Sequence, residues 1–299
     1  MEAAPLFNTD LIRRNRLRAL GGAPDGSDFL LKTVCNEIAD RLNAVERDFS
    51  TSISLHAGSS ELASLLADSG KTRVVGCVEQ DIAMLAGHAT DHWRVVTDFE
   101  LFPFAEASIG LVVSPFNLGL TNDLPGMLAQ INRSLLPDGL LLAALPGAGT
   151  LSELRDALMT AEEELTGGAS PRVVPFADIR DCGALLQRAG FALPVVDTQA
   201  LTVRYDNIFA LMHDLRNMGM ANPLHARSRR PASRQCFLRA AEIYMQRYSD
   251  ADGRIRATFK FIHMSGWKPH ESQQKPLSPG SAKTRLADAL STREQKLRR

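Results

Sequence analysis

Short, almost uninterrupted apolar segments alternate with amphipathic helical patterns through the first half of the chain. They occur at 53–55, 74–78, 95–96, 109–113 and 140–145. Strands that are apolar along their whole length are buried on both faces, which is typical of a parallel sheet with helices on either side. The sequence therefore predicts a doubly wound α/β domain.

The second half of the chain has a different pattern. Helical periodicity predicts helices at 150–165 and 176–188, a strand beginning at Val195, and a helical insertion at about 207–248. Residues 255–263 alternate apolar and polar, the pattern of a strand with one solvated face. We expect this final strand to add antiparallel to the edge of the sheet.

Glycine and proline divide the chain into three parts. The breaker cluster at 21–26 separates an Arg-rich N-terminal arm, 1–27, from the main domain, 28–275. We expect the folded part to begin just after this cluster. The segment 276–299 is rich in Ser, Pro, Lys and Arg and is predicted to be a disordered tail.

Composition excludes several classes of protein. The 34 basic and 34 acidic side chains balance, which argues against a nucleic-acid binder that acts through bulk charge. No apolar run is long enough for a transmembrane helix, and the first twenty residues lack a signal-peptide core. The four cysteines are scattered without zinc-ligand spacing, so we expect reduced thiols, no metal site and a cytoplasmic protein.

The predicted fold places a candidate ligand site at the carboxyl ends of its strands. The first strand-to-helix turn, 56–61, keeps Gly58 alone, so it is either a binding loop or a simple connection. Glu79 or Asp81, after the second strand, could accept hydrogen bonds from ribose hydroxyls. Asp98 precedes an apolar stretch suited to an adenine ring, although it could equally be a solvated loop acid.

Several strings resemble the Rossmann-like fold of class I S-adenosylmethionine methyltransferases. Asp98 with the following Leu101–Phe104, the strand Leu111–Ser114 and the turn Leu135–Gly139 resemble motifs of that superfamily. The resemblance implies a mostly parallel seven-stranded sheet. It also implies that S-adenosylmethionine, if bound, contacts Gly58, Glu79, Asp98 and Ser114.

More specific strings resemble the family of a mitochondrial respiratory complex I assembly factor that has a methyltransferase fold, with its alphaproteobacterial relatives. They are Asn122–Pro125, Gly149–Arg155, Leu211–Gly219 and Gly266–Gln273, and the resemblance runs from Phe7 to about Gln274. It implies hydroxylation of an arginine on a protein partner, an iron–sulfur subunit of complex I. A bacterial member would work in the cytoplasm, at the periphery of the inner membrane during assembly.

The chain departs from that family at the cofactor turn. Ser54 replaces an acid, and His56 and Ser60 replace the first and last glycines of the family's motif. An imidazole at a position meant for bare backbone would obstruct the cofactor, so we expect weakened affinity. His213-Asp214 and His270-Glu271 lack the spacing of an iron-binding facial triad, and no catalytic residue is assigned.

Three functions therefore remain open. The chain is an arginine-hydroxylase-type assembly factor, a methyltransferase acting on a protein or carrier-bound acid, or a non-catalytic chaperone-like binding module. The basic stretch from Arg227 to Arg239 holds no acid and is either a docking surface for an acidic protein or a solvated connection.

Overall fold

Seven strands form one mixed sheet in the computed structural model, which describes residues 4–22, 24, 26–89, 91–274 and 288. The strands are β1 Phe49–Leu55, β2 Thr72–Glu79, β3 Trp93–Val96, β4 Ile109–Pro115, β5 Leu135–Pro146, β6 Ala192–Tyr205 and β7 Ile255–Trp267. Their order across the sheet is β3-β2-β1-β4-β5-β7-β6. The predicted fold class, a mostly parallel seven-stranded α/β sheet, is confirmed.

The first five strands are parallel, and the late strand β7 is antiparallel to both of its neighbours. The expectation that β7 adds at the edge is wrong, because β7 lies between β5 and β6 and the edge strand is β6. The predicted alternation is present at the start of β7, where buried residues alternate with more exposed ones from Ile255 to Phe261, and β6 alternates exposed and half-buried residues.

Eight α-helices surround the sheet in the described part of the chain. They are α1 Thr9–Leu20, α2 Phe29–Asn43, α3 Glu61–Asp68, α4 Leu124–Ser134, α5 Ser152–Thr166, α6 Ile179–Arg188, α7 Ile208–Asn217 and α8 Arg234–Tyr248. The predicted insertion at 207–248 is therefore two helices, α7 and α8, joined through the basic stretch. The segment between β2 and β3 contains a single 3₁₀ turn, Ile82–Leu85.

Strand residues alternate between two buried apolar clusters, one on each face of the sheet. Leu111 and Val113 of β4 pack in one cluster with α2, whereas Val112, between them, packs in the other with α4. The stripe on α2 that repeats every four residues, from Leu30 to Leu42, is fully buried, as its periodicity predicts.

The N-terminal helix packs onto this body, contrary to the expectation that the folded part begins after residue 26. Phe7 and Ile12 are buried with Phe99 and Leu224, and Phe7 pairs with Leu224 in a β-bridge. These apolar contacts hold α1 across the carboxyl edge of the sheet, although residues 21–26 are rich in glycine.

The chain divides into two compact units, Met1–Pro269 and His270–Arg299. Most of the predicted tail, 276–299, lies outside the described residues, so its disorder stays a prediction. No helix in the described ranges is long and apolar enough to cross a membrane. All four cysteines are free and buried, and burial raises the pKa of Cys35 and Cys77 to about 12, which leaves these thiols protonated and unreactive.

Candidate functional site

The turn between β1 and α3 carries an unusual residue at its first position. His56 has φ 51°, in the left-handed region that favours glycine, and Gly58 has φ 79°. The His56 amide donates to the carbonyl of Val78 on β2. The turn therefore keeps the backbone course of a glycine-rich turn with an imidazole on it.

Glu79, the last residue of β2, is buried and engaged on both carboxylate oxygens. Its Oε1 accepts from the amide of Gly58 at 2.7 Å, and its Oε2 accepts from Nη2 of Arg16 at 2.7 Å. Burial, the largest single influence, would raise the pKa of Glu79, but the Arg16 guanidinium, His56 and the Gly58 amide together outweigh it, and the pKa falls to about 2. Glu79 is thus a carboxylate with its counter-ion already in place.

The His56 ring is enclosed beside this ion pair. It is 1% exposed, its centroid lies 4.6 Å from that of Phe99, and its Nδ1 is 3.7 Å from Oε2 of Glu79. Burial lowers the pKa of His56, and Glu79 opposes this effect only in part. The imidazole is therefore neutral at pH 7. We call Arg16, His56, Gly58, Glu79 and Phe99 the Glu79 pocket.

The four residues predicted to bind a cofactor do not all meet in this pocket. Gly58 and Glu79 are in direct contact. Asp98 is exposed and accepts from the Glu100 amide within its own loop, while Ser114 is fully buried and donates to the Leu55 carbonyl. Ser114 thus joins two strands, and the roles of all four toward a cofactor stay predictions.

A mainly apolar cavity of about 590 Å³ adjoins the Glu79 pocket and shares Arg16 and Gly58 with it. Its walls come from α1, the start of α2, the ends of β4 and β5, and the segments 172–176 and 215–223. Apolar lining side chains include Ile12, Leu30, Phe116, Leu151, Val173 and Met220. We call this space the apolar cavity. Its volume and character are typical of preformed ligand sites.

Three of the six non-glycine residues with positive φ in the described ranges lie at the same edge of the sheet. His56 follows β1, Phe116 follows β4 with φ 62°, and Leu151 follows β5 with φ 52°. A bulky residue in this region costs about 1–3 kcal/mol and persists where surrounding structure enforces it, often at functional sites. Phe116 and Leu151 line the apolar cavity, so the strain falls on the walls of the candidate site.

The Glu79 pocket, as folded, does not fit S-adenosylmethionine. A ribose diol needs free oxygens on the carboxylate after the second strand, and both oxygens of Glu79 are taken. The His56 imidazole occupies space beside it where the motif requires bare backbone.

The histidine-acid pairs considered for iron do not form a metal site. Asp214 accepts a hydrogen bond from the Tyr205 hydroxyl at 2.7 Å, and His270 bonds Ser272. Among the described residues, no group of three or more His, Cys, Asp or Glu side chains is placed to hold a metal ion.

The basic stretch is partly paired and partly exposed. Arg239 forms ion pairs with Glu164 and Glu242, whereas Arg229, Arg230 and Arg234 are exposed. The connection between α7 and α8 therefore presents positive charge to solvent.

The sequence did not indicate that Arg16, Phe99 and Asn117 belong to the site. The side-chain amide of Asn117 donates to the His56 carbonyl. Ile12, Asn15 and Arg16 are the buried residues of α1 and lie on one helix face, and a buried arginine needs an acidic partner. The sequence carries no signal that singles out Arg16 among the four arginines of this helix.

Comparisons with known proteins identify the fold of this chain. A methyltransferase-domain family model matches residues 54–143. A structure of a candidate methyltransferase from Bacillus halodurans aligns with a TM-score of 0.55 at 14% identity, covering 79% of this chain and 99% of that one. This likeness shows the fold.

Likeness in sequence extends over nearly the whole chain. The human protein "Arginine-hydroxylase NDUFAF5, mitochondrial" is 38% identical over 93% of this chain and 81% of its own length. The rat protein of the same name is 36% identical over 96% of this chain and 84% of its own. A "Malonyl-[acyl-carrier protein] O-methyltransferase" of Methylovorus is 30% identical over 96% and 98%. By its sequence and its methyltransferase fold, this chain belongs to the family of the arginine-hydroxylase NDUFAF5 proteins.

Proposed function

We propose that this chain acts on an arginine side chain of a protein partner, as an arginine-hydroxylase-type assembly factor of respiratory complex I. The observation that carries the proposal is similarity to proteins named arginine-hydroxylase, at 36% and 38% identity over 96% and 93% of the chain. The partner, by the resemblance of the late strings, is an iron–sulfur subunit of the complex. The cytoplasmic face of a bacterial inner membrane is the proposed place of action.

The apolar cavity supports a substrate that enters from another protein. At about 590 Å³, it is large enough to receive a long side chain, and its walls are mostly apolar. The methylene stem of an arginine packs well against such walls, while its guanidinium requires polar partners. Asn15, Asn117, Asn217 and Asp28 are polar residues on the same lining.

The exposed arginines just before α8 and at its first residue support docking on an acidic protein surface. Arg229, Arg230 and Arg234 are exposed, and such charge raises the rate of encounter with a partner of opposite sign. The absence of aromatic residues among them disfavours single-stranded nucleic acid as the partner.

The decisive experiment measures the arginine itself. The iron–sulfur subunit is purified from cells with and without the gene for this chain, and its peptides are analysed by mass spectrometry. We expect one arginine to carry an additional oxygen atom only when the chain is present, and assembled complex I to fall in its absence. A normal level of complex I and an unmodified arginine would overturn the proposal.

A second candidate, methyl transfer to a carrier-bound or protein acid, is favoured by the 30% identity to the malonyl-carrier methyltransferase. It requires S-adenosylmethionine on Gly58, Glu79, Asp98 and Ser114. The two candidates differ in the mass added, a methyl group or an oxygen atom. Loss of complex I with no added mass would favour the third candidate, a binding module without catalysis.

A further inference from the structure

Arg16 lies deep in the carboxyl edge of the sheet, although it belongs to an N-terminal helix. The residue is 7% exposed, and its Nη2 lies 2.7 Å from Oε2 of Glu79 and 3.2 Å from the carbonyl oxygen of His56. A Cβ on Gly58 would lie 3.3 Å from the same Nη2. The guanidinium therefore rests on the bare backbone of the turn, at the position where that backbone is expected to approach a ligand.

Nη2 of this guanidinium has two acceptors, Glu79 and the His56 carbonyl, whereas its buried Nη1 has no hydrogen-bond partner among the described residues. Glu79 supplies a buried charge, and its second oxygen is held by the Gly58 amide. The His56 carbonyl accepts from both Arg16 and Asn117. A buried, charge-assisted pair of this kind is costly to break, because separation leaves two desolvated charges.

The contacts of α1 hold Arg16 beside Glu79. Asn15, next to Arg16, donates to the Ala221 carbonyl at 2.9 Å, and Ile12 packs with Phe99 in the apolar cluster. The Phe99 ring is also the one against which His56 stacks. The backbone of Arg16 is therefore held in place, and its guanidinium leaves Glu79 only by a change of rotamer or by displacement of the helix.

We propose that Arg16 is the resident occupant of the pocket that the fold otherwise gives to a nucleoside, so that the native chain does not bind S-adenosylmethionine there. The apolar cavity, with Arg16 in its wall, is then the working site of the protein. This inference concerns occupancy alone and is independent of the proposed hydroxylation.

Calorimetry with S-adenosylmethionine tests the proposal on four full-length forms. They are the native chain, Arg16→Ala, the double variant Arg16→Ala/His56→Gly, and Arg13→Ala as matched control. Arg13 lies on the same helix, but its ion pair with Asp81 is exposed. Glycine suits the φ of 51° at position 56, so the double variant clears both side chains without backbone strain.

We expect the native chain and Arg13→Ala to bind with Kd no tighter than about 1 mM, and the double variant at least about tenfold tighter. Native binding clearly tighter than about 1 mM would overturn the proposal, whether or not amide exchange in α1 stays protected. This measurement on the native chain decides the question even if the variants fail to fold.

Chemical rescue supplies an independent test. Methylguanidinium at about 20 mM should increase the Tm of Arg16→Ala by more than it changes the Tm of the native chain or of Arg13→Ala. The reason is that it can bind beside Glu79 where the Arg16 guanidinium is missing. An equal change in Tm in all three forms would overturn the proposal that the space beside Glu79 is a guanidinium-binding site. Failure of the hydroxylation assay would leave these binding results unchanged, so the two proposals fail separately.

Discussion

The Glu79 pocket and the apolar cavity lie side by side at one edge of the sheet, yet they differ in how they are filled. In the pocket, protein groups satisfy both oxygens of the carboxylate, and an aromatic ring encloses the imidazole. The cavity keeps about 590 Å³ of space behind mostly apolar walls. Arg16 belongs to both, so one side chain closes the first site and borders the second.

The carboxyl edge of the sheet is thus divided into a part that protein groups fill, where we propose that no nucleoside binds, and a part that stays open. A carboxylate at the end of β2 is costly to bury unless it has a partner. Arg16 meets that requirement permanently, whereas a cofactor would meet it only when bound. The pocket should therefore contribute mainly to stability and the cavity mainly to activity.

The largest expected effect is on stability, at the pocket. Glu79→Gln removes the charge that balances Arg16 and should lower the free energy of unfolding by about 3–5 kcal/mol, because it leaves a buried guanidinium unpaired. Denaturant titration followed by circular dichroism measures this loss. A matched double variant, Arg16→Met/Glu79→Leu, should recover most of it, since apolar groups of similar size fill the same space.

Asp81→Asn is the control for charge loss near the same strand, because the Arg13–Asp81 pair is exposed and should contribute little. If Glu79→Gln and Asp81→Asn had equally small effects, the contrast between a structural pocket and a working cavity would not hold.

The next effect is on activity, at the cavity. Ala19 of α1 lines the cavity, and Ala19→Trp should place an indole in the space that a substrate side chain needs. We expect at least about tenfold less modified arginine on the partner subunit. The free energy of unfolding should stay within about 1 kcal/mol of the native value, because the cavity has room for the ring.

Met159→Trp is the matched control, since Met159 is exposed on α5 and is absent from the cavity lining. Full activity in Ala19→Trp would show that the substrate binds elsewhere, and the cavity would then not be the site of activity.

The sequence predicted that Gly58 and Glu79 lie at the site, but not that Arg16 lies against both of them. The ends of β1 and β2 follow from local apolar runs, so these runs alone place Gly58 and Glu79 at one edge of the sheet. They do not place Arg16 there, because its pair with Glu79 joins residues 63 positions apart and depends on how α1 crosses the sheet. Four arginines lie on this helix, and periodicity alone does not show which one meets an acid.

The position of β7 was missed for a related reason. Alternation reports how many faces of a strand are solvated, and it does not report the neighbours of that strand in the sheet. The chain could add β7 at the edge or insert it beside β5, and the pattern at 255–263 is compatible with both. Long-range pairing with β5 decided the outcome, over contacts such as Leu142 with Ser265.

The smallest expected effect is on the pH dependence of stability, to which the cavity should not contribute. Burial lowers the pKa of His56, so the unfolded chain, with an ordinary histidine pKa of about 6.5, takes up the proton first as the pH falls. The stability present above pH 6.5 is therefore lost on acidification toward pH 5, at up to about 1.4 kcal/mol per pH unit for one proton. Glu79 does not contribute in this window, because its lowered pKa matters only below about pH 4.5.

Replacement of the imidazole tests this pH dependence. His56→Asn keeps a residue that tolerates positive φ and removes the titration, so its free energy of unfolding should fall less steeply from pH 7 to 5. His88 and His263, whose pKa values burial also lowers, should leave a residual slope. Ser59→Asn, in the same turn, is the control for substitution alone. An unchanged slope in His56→Asn would mean that the imidazole can be protonated in the folded state, which would contradict a pocket closed around a neutral ring.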